Sequence, residues 1–307
     1  MEKRGWFTTP IIIGVIIVLS YVYLTQDGKK TESNQYVELS TDIGHTTMSW
    51  HRGPEDLPCA TTTIRYTVQN QGNILADDVS ISCVLDGEIV EEMERDIQST
   101  SYYEGQTSFE LQYDTSTTVM ITATYQTQTS ADSVSLNTDF PRYNTELASF
   151  FITPDDPIIE DLRDRIVKWA PVHWMALRTW VGNNVDYEYD STQFGEREYW
   201  LFGRETYDFK EGDCEDQAIL LCSLLRADGW DSDEVYVILG TVDGEGHAWV
   251  SLKILDILGY PVWINLEPTA GGIISTQFAD LGSLLSDILG DTEKAHRFND
   301  EVYEEIE

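Results

Sequence analysis

Gly212-Asp213-Cys214-Glu215-Asp216-Gln217-Ala218 runs directly into Ile219-Leu220-Leu221-Cys222-Ser223-Leu224-Leu225, so a polar loop becomes an apolar helix with a cysteine at the change. Asp213 suits a helix N-cap, and Asp216 three residues on suits the reciprocal capping partner, which makes Cys214 the first helical residue. Ala227-Asp228-Gly229 closes the helix, with Gly229 just past the cap. A thiol at a helix N-terminus feels the positive end of the macrodipole, which favours thiolate. Glu215 and Asp216 pull the other way, because nearby negative charge raises a thiol pKa. The helix alone is a weak activator, so a base has to come from elsewhere in the chain. Cys222, two turns on and inside the apolar run, reads as core.

A histidine and a carboxylate follow in order, in Gly246-His247-Ala248-Trp249-Val250 and Asn265-Leu266-Glu267-Pro268-Thr269. Val235 to Leu239 reads as a buried strand. Ala248 to Leu252 reads as the next strand, with His247 at its entry, and Val262 to Leu266 as a third. If the last two pair about a turn near residue 258, His247 lies opposite roughly residues 267 to 269. Glu267 then accepts the far N–H of the imidazole and fixes its tautomer. Cys214 is the candidate nucleophile, His247 its base and Glu267 the orienter. The backbone N–H of Cys214 is a natural oxyanion donor. Gln193 is a candidate second donor beside its plainer reading as a surface glutamine.

The order Cys, His, carboxylate on helix, strand, strand resembles the transglutaminase-like superfamily over about residues 160 to 270. Gly212-Asp213-Cys214-Glu215-Asp216, Leu224 to Gly229, Gly246 to Val250 and Leu266 to Thr269 carry the resemblance. It implies a papain-like α+β core, with a nucleophile helix packed on an antiparallel sheet, in which Cys214, His247 and position 267 do acyl transfer through a thioester. The usual orienter in the family is Asp, and this chain has Glu267, one methylene longer. The implied activity is a cysteine hydrolase acting on peptide, amide or isopeptide bonds. The alternatives are a protein-crosslinking transglutaminase, or a catalytically decayed surface module that binds. The expected partner is a protein or peptide substrate.

No cofactor and no metal are expected. Neither CxxC nor HExxH spacing is present to support zinc. Asp228 to Glu234 is acidic but lacks the glycine and glutamate positions of an EF-hand loop, and reads as a solvated turn. His173 sits among apolar residues and reads as packing.

Upstream, the chain reads as delivery. Residues 1–6 are expected to form a cytoplasmic tail. Residues 7–24, apolar and free of charge between Arg4 and Asp27, are expected to form a transmembrane anchor. Trp6, Tyr21 and Tyr23 sit where interfacial anchors belong. Ser20-Tyr21-Val22-Tyr23 is a poor cleavage site for a signal peptide. Residues 25–35 then form a stalk, and the bulk of the chain lies outside the cytoplasm, held at the cell membrane by a single pass. From 36 to 150, short β-rich runs alternate with period two between Asn, Gly and Asp turns, as in Thr61 to Val68 and Val79 to Leu85. This pattern suits an immunoglobulin-like β-sandwich. Tyr66 to Gly72 resembles the adhesion-type sandwich modules of prokaryotic surface proteins. Cys59 and Cys83 lie at a strand entry and on a strand, and are either a disulfide or two buried thiols. Thr153 to Pro157 is the expected linker, and 151–307 the transglutaminase-like domain with an acidic C-terminal tail.

The 54 acidic side chains against 19 basic ones leave a net charge of −35. Such a surface excludes nucleic acid, whose phosphates need Lys and Arg counter-charge. The charge is spread along the chain and serves solubility. Hydrophobic residues at 41% are enough for two packed cores.

Overall fold

The first half is made of β1 (Leu39–Arg52), β2 (Pro58–Asn70), β3 (Ala76–Leu85), β4 (Glu88–Ile97), β5 (Tyr102–Gln112), β6 (Ser116–Tyr125) and β7 (Gln128–Asn137), and burial that alternates along β2, β3, β5, β6 and β7 gives those strands one apolar face. Two sheets, β1-β2-β5 and β4-β3-β6-β7, close those faces on each other. Ile64, Tyr66 and Val68 of one sheet meet Ile81, Val119 and Ile121 of the other, which is the sandwich expected from the period of two. The computed structural model describes residues 34–242, 244–257, 260–269 and 292–306. The expected tail at 1–6, anchor at 7–24 and most of the stalk at 25–35 lie outside them. Among the described residues no helix is long and apolar enough to cross a membrane.

The second half is helices on a sheet. α1 (Pro157–Val167) and α2 (His173–Asn184) lead to β8 (Asp186–Tyr187), α3 (Asp190–Gln193), α4 (Gly203–Phe209), β9 (Glu211–Gly212) and α5 (Cys214–Ala227). Then come β10 (Val235–Val242), β11 (Glu245–Ile257), β12 (Tyr260–Leu266), β13 (Thr292–Phe298) and β14 (Tyr303–Glu305). The sheet order is β12-β11-β10-β13-β14, with antiparallel neighbours. Residues 218–222, 224 and 225 of α5 are fully buried against Val235, Val237, Ala248 and Val250 of the sheet. Asp156 caps α1 through the Ile158 N–H at 2.8 Å, as the acids before Pro157 predict.

Four expectations are settled or corrected. Of the two readings open for Cys59 and Cys83, the structure has the two buried thiols. Cys59 packs over Gly53, where a Cβ would collide with its sulfur, while Cys83 faces the core of the opposite sheet. Second, the acidic tail is part of the sheet. Phe298 is fully buried and stacked on Trp200 at 5.6 Å, and Asp300 takes Arg226 through two bonds of 2.6 and 2.9 Å. Third, His173 is exposed and bonds Asp228 at 3.0 Å. Fourth, the expected linker is not a free one. Phe151, Ile152 and Thr153 are fully buried, and the Thr153 N–H donates to Ser223 Oγ at 3.1 Å.

The core of the second domain consequently extends to the near end of the sandwich, which keeps a separate core between its own sheets. Trp50 and Phe140 pack edge to face at 4.9 Å, and Tyr113 meets Phe202 at the same separation. Arg142 fastens this junction. It holds Glu205 of α4 through bonds of 2.7 and 2.9 Å, holds Asp114 of the β5–β6 turn, and lies 5.0 Å from the Phe202 ring centre. Removing one partner of a buried pair leaves the other charge uncompensated. Arg142→Met is therefore expected to lower stability by about 3 kcal/mol. Urea denaturation should show the transition of the second domain moved to a lower midpoint, because its core extends across the junction to Leu57 and Phe140 while the sandwich keeps a core of its own.

Candidate active site

Gly212 lies where the chain enters α5, and only glycine fits there. A Cβ would sit 2.8 Å from the Cβ of Asp216 and 2.9 Å from its carboxylate. The Gly212 carbonyl accepts the side-chain amide of Gln217 at 3.1 Å, which turns the backbone into the helix. Cys214 is the first residue of α5, as read from the sequence. The capping chemistry differs from expectation: Asp213 occupies the N-cap in an extended conformation, but its side chain makes no capping bond. Asp216 is fully buried, with Oδ2 beside Gly212 and Oδ1 accepting the Leu201 N–H at 2.8 Å. It fastens the loop before α4 to the nucleophile helix.

The strand pairing predicted from spacing is present. Gly240 faces His247, and Val250 faces Leu266, a register centred on residue 258. Glu267 leaves β12 at the point where it meets His247. His247 Nε2 and Glu267 Oε2 are 2.6 Å apart, both side chains being mostly buried. Thr269 holds the other carboxylate oxygen twice, through its N–H at 3.0 Å and its hydroxyl at 2.7 Å. The longer Glu is thus accommodated by a clamp on its far oxygen. Burial by itself would raise the Glu267 carboxyl, but the His247 and Thr269 hydrogen bonds outweigh it and hold the group below its ordinary range. The pairing commits Nε2 to the carboxylate, which leaves Nδ1 as the ring nitrogen for the sulfur. Cys214 lies against the backbone N–H of Ala248, the residue after His247. The three elements therefore bring His247 and Glu267 into contact and set Cys214 beside the backbone of the residue that follows His247.

The sulfur is also surrounded by acid. Its thiol donates to Glu215 Oε2 at 3.2 Å. Burial first, then the charges of Glu215 and Asp213, push it well above the ordinary cysteine range. Asp190, Asp213, Glu215 and Asp216 are each less than a tenth exposed. Oxygens of Asp190, Asp213 and Asp216 lie within 4.8 Å of one another, and a second group at the same spacing joins Asp190 and Glu215 to Glu198. One oxygen on each of the four buried acids has no hydrogen-bond partner among the described residues. Burial pushes Asp190 and Glu215 up to about 7, and burial with Glu215 beside it pushes Asp213 up to about 9. Sequence analysis missed this cluster because its members come from α3, the loop after it and the start of α5. The turn that was weighed for calcium is spoken for: Lys253 pairs with Asp233 at 3.3 Å and with Glu234.

Other elements complete the rim. β8 pairs with β9 in parallel, Tyr187 beside Gly212, and exposed Tyr187 and Tyr189 meet edge to face at 5.3 Å. Gln193 closes α3, with its side-chain oxygen buried and without a partner among the described residues.

Residues 173–268 match the model of the Transglutaminase-like superfamily, and residues 54–146 match that of CARDB. Legionella pneumophila LapG is 17% identical, over 55% of this chain and 88% of its own, with a TM-score of 0.37. Its calcium-bound structure is 21% identical, over 52% and 80%, with a TM-score of 0.34. The CARDB domain of PF1109 from Pyrococcus furiosus is 10% identical, over 34% and 99%, with a TM-score of 0.28. No curated protein matches significantly. The chain joins a CARDB domain, an immunoglobulin-like sandwich of adhesion type, to a core of the transglutaminase-like superfamily.

Proposed function

We propose that this protein is a cysteine hydrolase that cleaves peptide, amide or isopeptide bonds in protein substrates through a Cys214 thioester. The observation that carries this reading is the 2.6 Å contact of His247 with Glu267, placed one residue from the backbone that Cys214 touches. His247 takes the thiol proton, and the sulfur attacks the carbonyl carbon. The oxyanion forms at the Cys214 N–H, which as the first residue of α5 has no intrahelical acceptor. The carbon–nitrogen bond then breaks as His247 passes its proton to the leaving amine, and water releases the acid from the thioester. An amine in place of water would make the same site a crosslinking transglutaminase. Incorporation of a labelled amine against simple hydrolysis separates the two.

The test is alkylation of Cys214 by iodoacetamide near neutral pH. His247→Ala is expected to slow it by about 100-fold or more, the range of general-base assistance. If Cys214 reacts as an ordinary thiol and His247→Ala changes nothing, the site is a decayed one and the sandwich carries the function.

The buried acids favour a further element of this reading. Buried carboxyls with unpartnered oxygens, in groups of three whose oxygens lie within 4.8 Å of one another, fit a hard divalent cation such as calcium, which takes carboxylate oxygens. Asp190, Asp213 and Glu215 would hold it from the buried side, and the exposed Glu198 from the rim. Bound there, it would offset the negative charge that holds the Cys214 thiol protonated. Anchoring by residues 7–24, with the enzyme at the cell surface, completes the proposal. The apolar run between Arg4 and Asp27 supports it.

A further inference from the structure

Glu267 must present its carboxylate within a few tenths of an ångström, yet it stands one residue beyond β12. The last paired residues of β11 and β12 are Val250 and Leu266. A residue past the end of a ladder has no strand neighbour to fix its backbone, and the side chain inherits that freedom. The missing restraint comes from the helix layer. Arg178 of α2 is only 2% exposed, between fully buried Leu177 and Val181, and its Nε–H donates to the Glu267 carbonyl at 2.8 Å. We propose that Arg178 is a positioning residue for the catalytic pair, tying the backbone of Glu267 to α2 and so setting where its carboxylate meets His247. The inference rests on the hydrolase reading for its consequence, since it concerns the same site.

The restraints divide cleanly. Thr269 fixes one carboxylate oxygen from two residues away on the same strand exit, so it moves with Glu267. Arg178 comes from a different element, 89 residues earlier, and relates the exit to the rigid helix layer. Its charge also lies near Glu267, which favours the ionised carboxylate. A guanidinium is rarely buried so fully without a task, because desolvating the charge is expensive. Lysine carries the same charge but no planar fork, so Arg178→Lys keeps the electrostatics and loosens the geometry.

A double-mutant cycle in the full chain tests this, read on Cys214 alkylation with melting temperature recorded beside it. Arg178→Lys should slow alkylation about 10-fold, because an ångström of misplacement at such a pair is felt strongly. With Glu267→Gln already present, the same substitution should change the rate less than about 2-fold, since the contact it positions is gone. A second readout does not depend on reactivity. The Nε2–H proton of His247, held by the carboxylate, should give a protected downfield resonance that disappears in Arg178→Met and persists, shifted, in Arg178→Lys. Equal rate losses in both backgrounds would assign Arg178 a general structural role. An unchanged rate and resonance in folded Arg178 variants would overturn the inference as well. If the wild-type thiol proves unreactive, the hydrolase reading falls, and the resonance alone decides whether Arg178 positions the pair.

Discussion

Glu267→Gln is expected to lower the rate of acylation by about 10³- to 10⁴-fold, short of the complete loss that follows from removing Cys214, on whose sulfur the thioester forms. The carboxylate has two jobs, and the amide fails at both. Oε2 accepts from His247 Nε2, which occupies that nitrogen and leaves Nδ1 to act as the base. Its charge also offsets the imidazolium that forms when Cys214 gives up its proton. An amide is neutral, and its NH₂ can face Nε2 and reverse the tautomer. Glu267→Asp is the sharper test, because aspartate is the residue the superfamily resemblance leads one to expect. The shorter side chain withdraws the carboxylate by about 1.5 Å, the length of one carbon–carbon bond. Thr269 already holds Oε1 by two bonds, so the group cannot reach His247 without abandoning that clamp. A loss of about 100-fold is expected for Asp. Single-turnover alkylation or cleavage kinetics will show it. Full activity of the Asp variant would mean that the strand exit adjusts freely, and the clamp would lose its significance.

How much of this site could be read from the residues follows from the range of the interactions. α5 announces itself locally: a polar-to-apolar change, a cysteine at the turn and Gly229 past the end, which has a φ of 94°. The β11–β12 register was legible because a hairpin is arithmetic, and residues facing one another sum to a constant. The observed pairs, such as Val250 with Leu266, put position 269 opposite His247 and leave Glu267 two residues short of it, within reach of its side chain. Side chains that choose among distant partners leave no such trace. Asp213 has an ideal identity for capping, yet burial among other acids draws it into their cluster. Asp216 spends its carboxylate on Leu201, and Arg178 on a carbonyl 89 residues away. The C-terminal acids looked like a solvated tail because their density outweighs Phe298, whose burial depends on Trp200 being there to stack on it. The core across the junction was hidden for the same reason. Phe150 and Phe151 read as the boundary between two domains until Phe140 and Phe202 are seen against them.

In the absence of divalent cations, stability is expected to fall as pH rises from about 5 to 8, the reverse of ordinary acid denaturation. Asp190 and Glu215 are pushed up to about 7 and Asp213 to about 9 in the folded protein. In the unfolded chain such groups titrate near 4. Between these limits the folded state keeps protons that the unfolded state has released. Each group's contribution is complete below about pH 4 and is lost as pH climbs through its folded value, by about 1.4 kcal/mol per pH unit at most. The window closes near pH 7 for Asp190 and Glu215, and near 9 for Asp213. Because the three share one site, the total should be well below the sum. Glu267 has the opposite sign, held below its ordinary range, and its contribution is lost only as pH falls beneath that range. It does not mask the effect. Urea midpoints at pH 5 to 8 in EDTA should therefore decline, and millimolar calcium should flatten the decline by letting the acids ionise onto the ion. The same addition should speed Cys214 alkylation at pH 7, since Glu215 and Asp213 would no longer act on the thiol as free negative charges. Asp190→Asn should weaken both calcium effects while leaving the His247–Glu267 contact intact. A flat profile in EDTA would show that the buried acids are satisfied without an ion. A declining profile that calcium leaves untouched would show that the cluster is a store of protons and not a cation site.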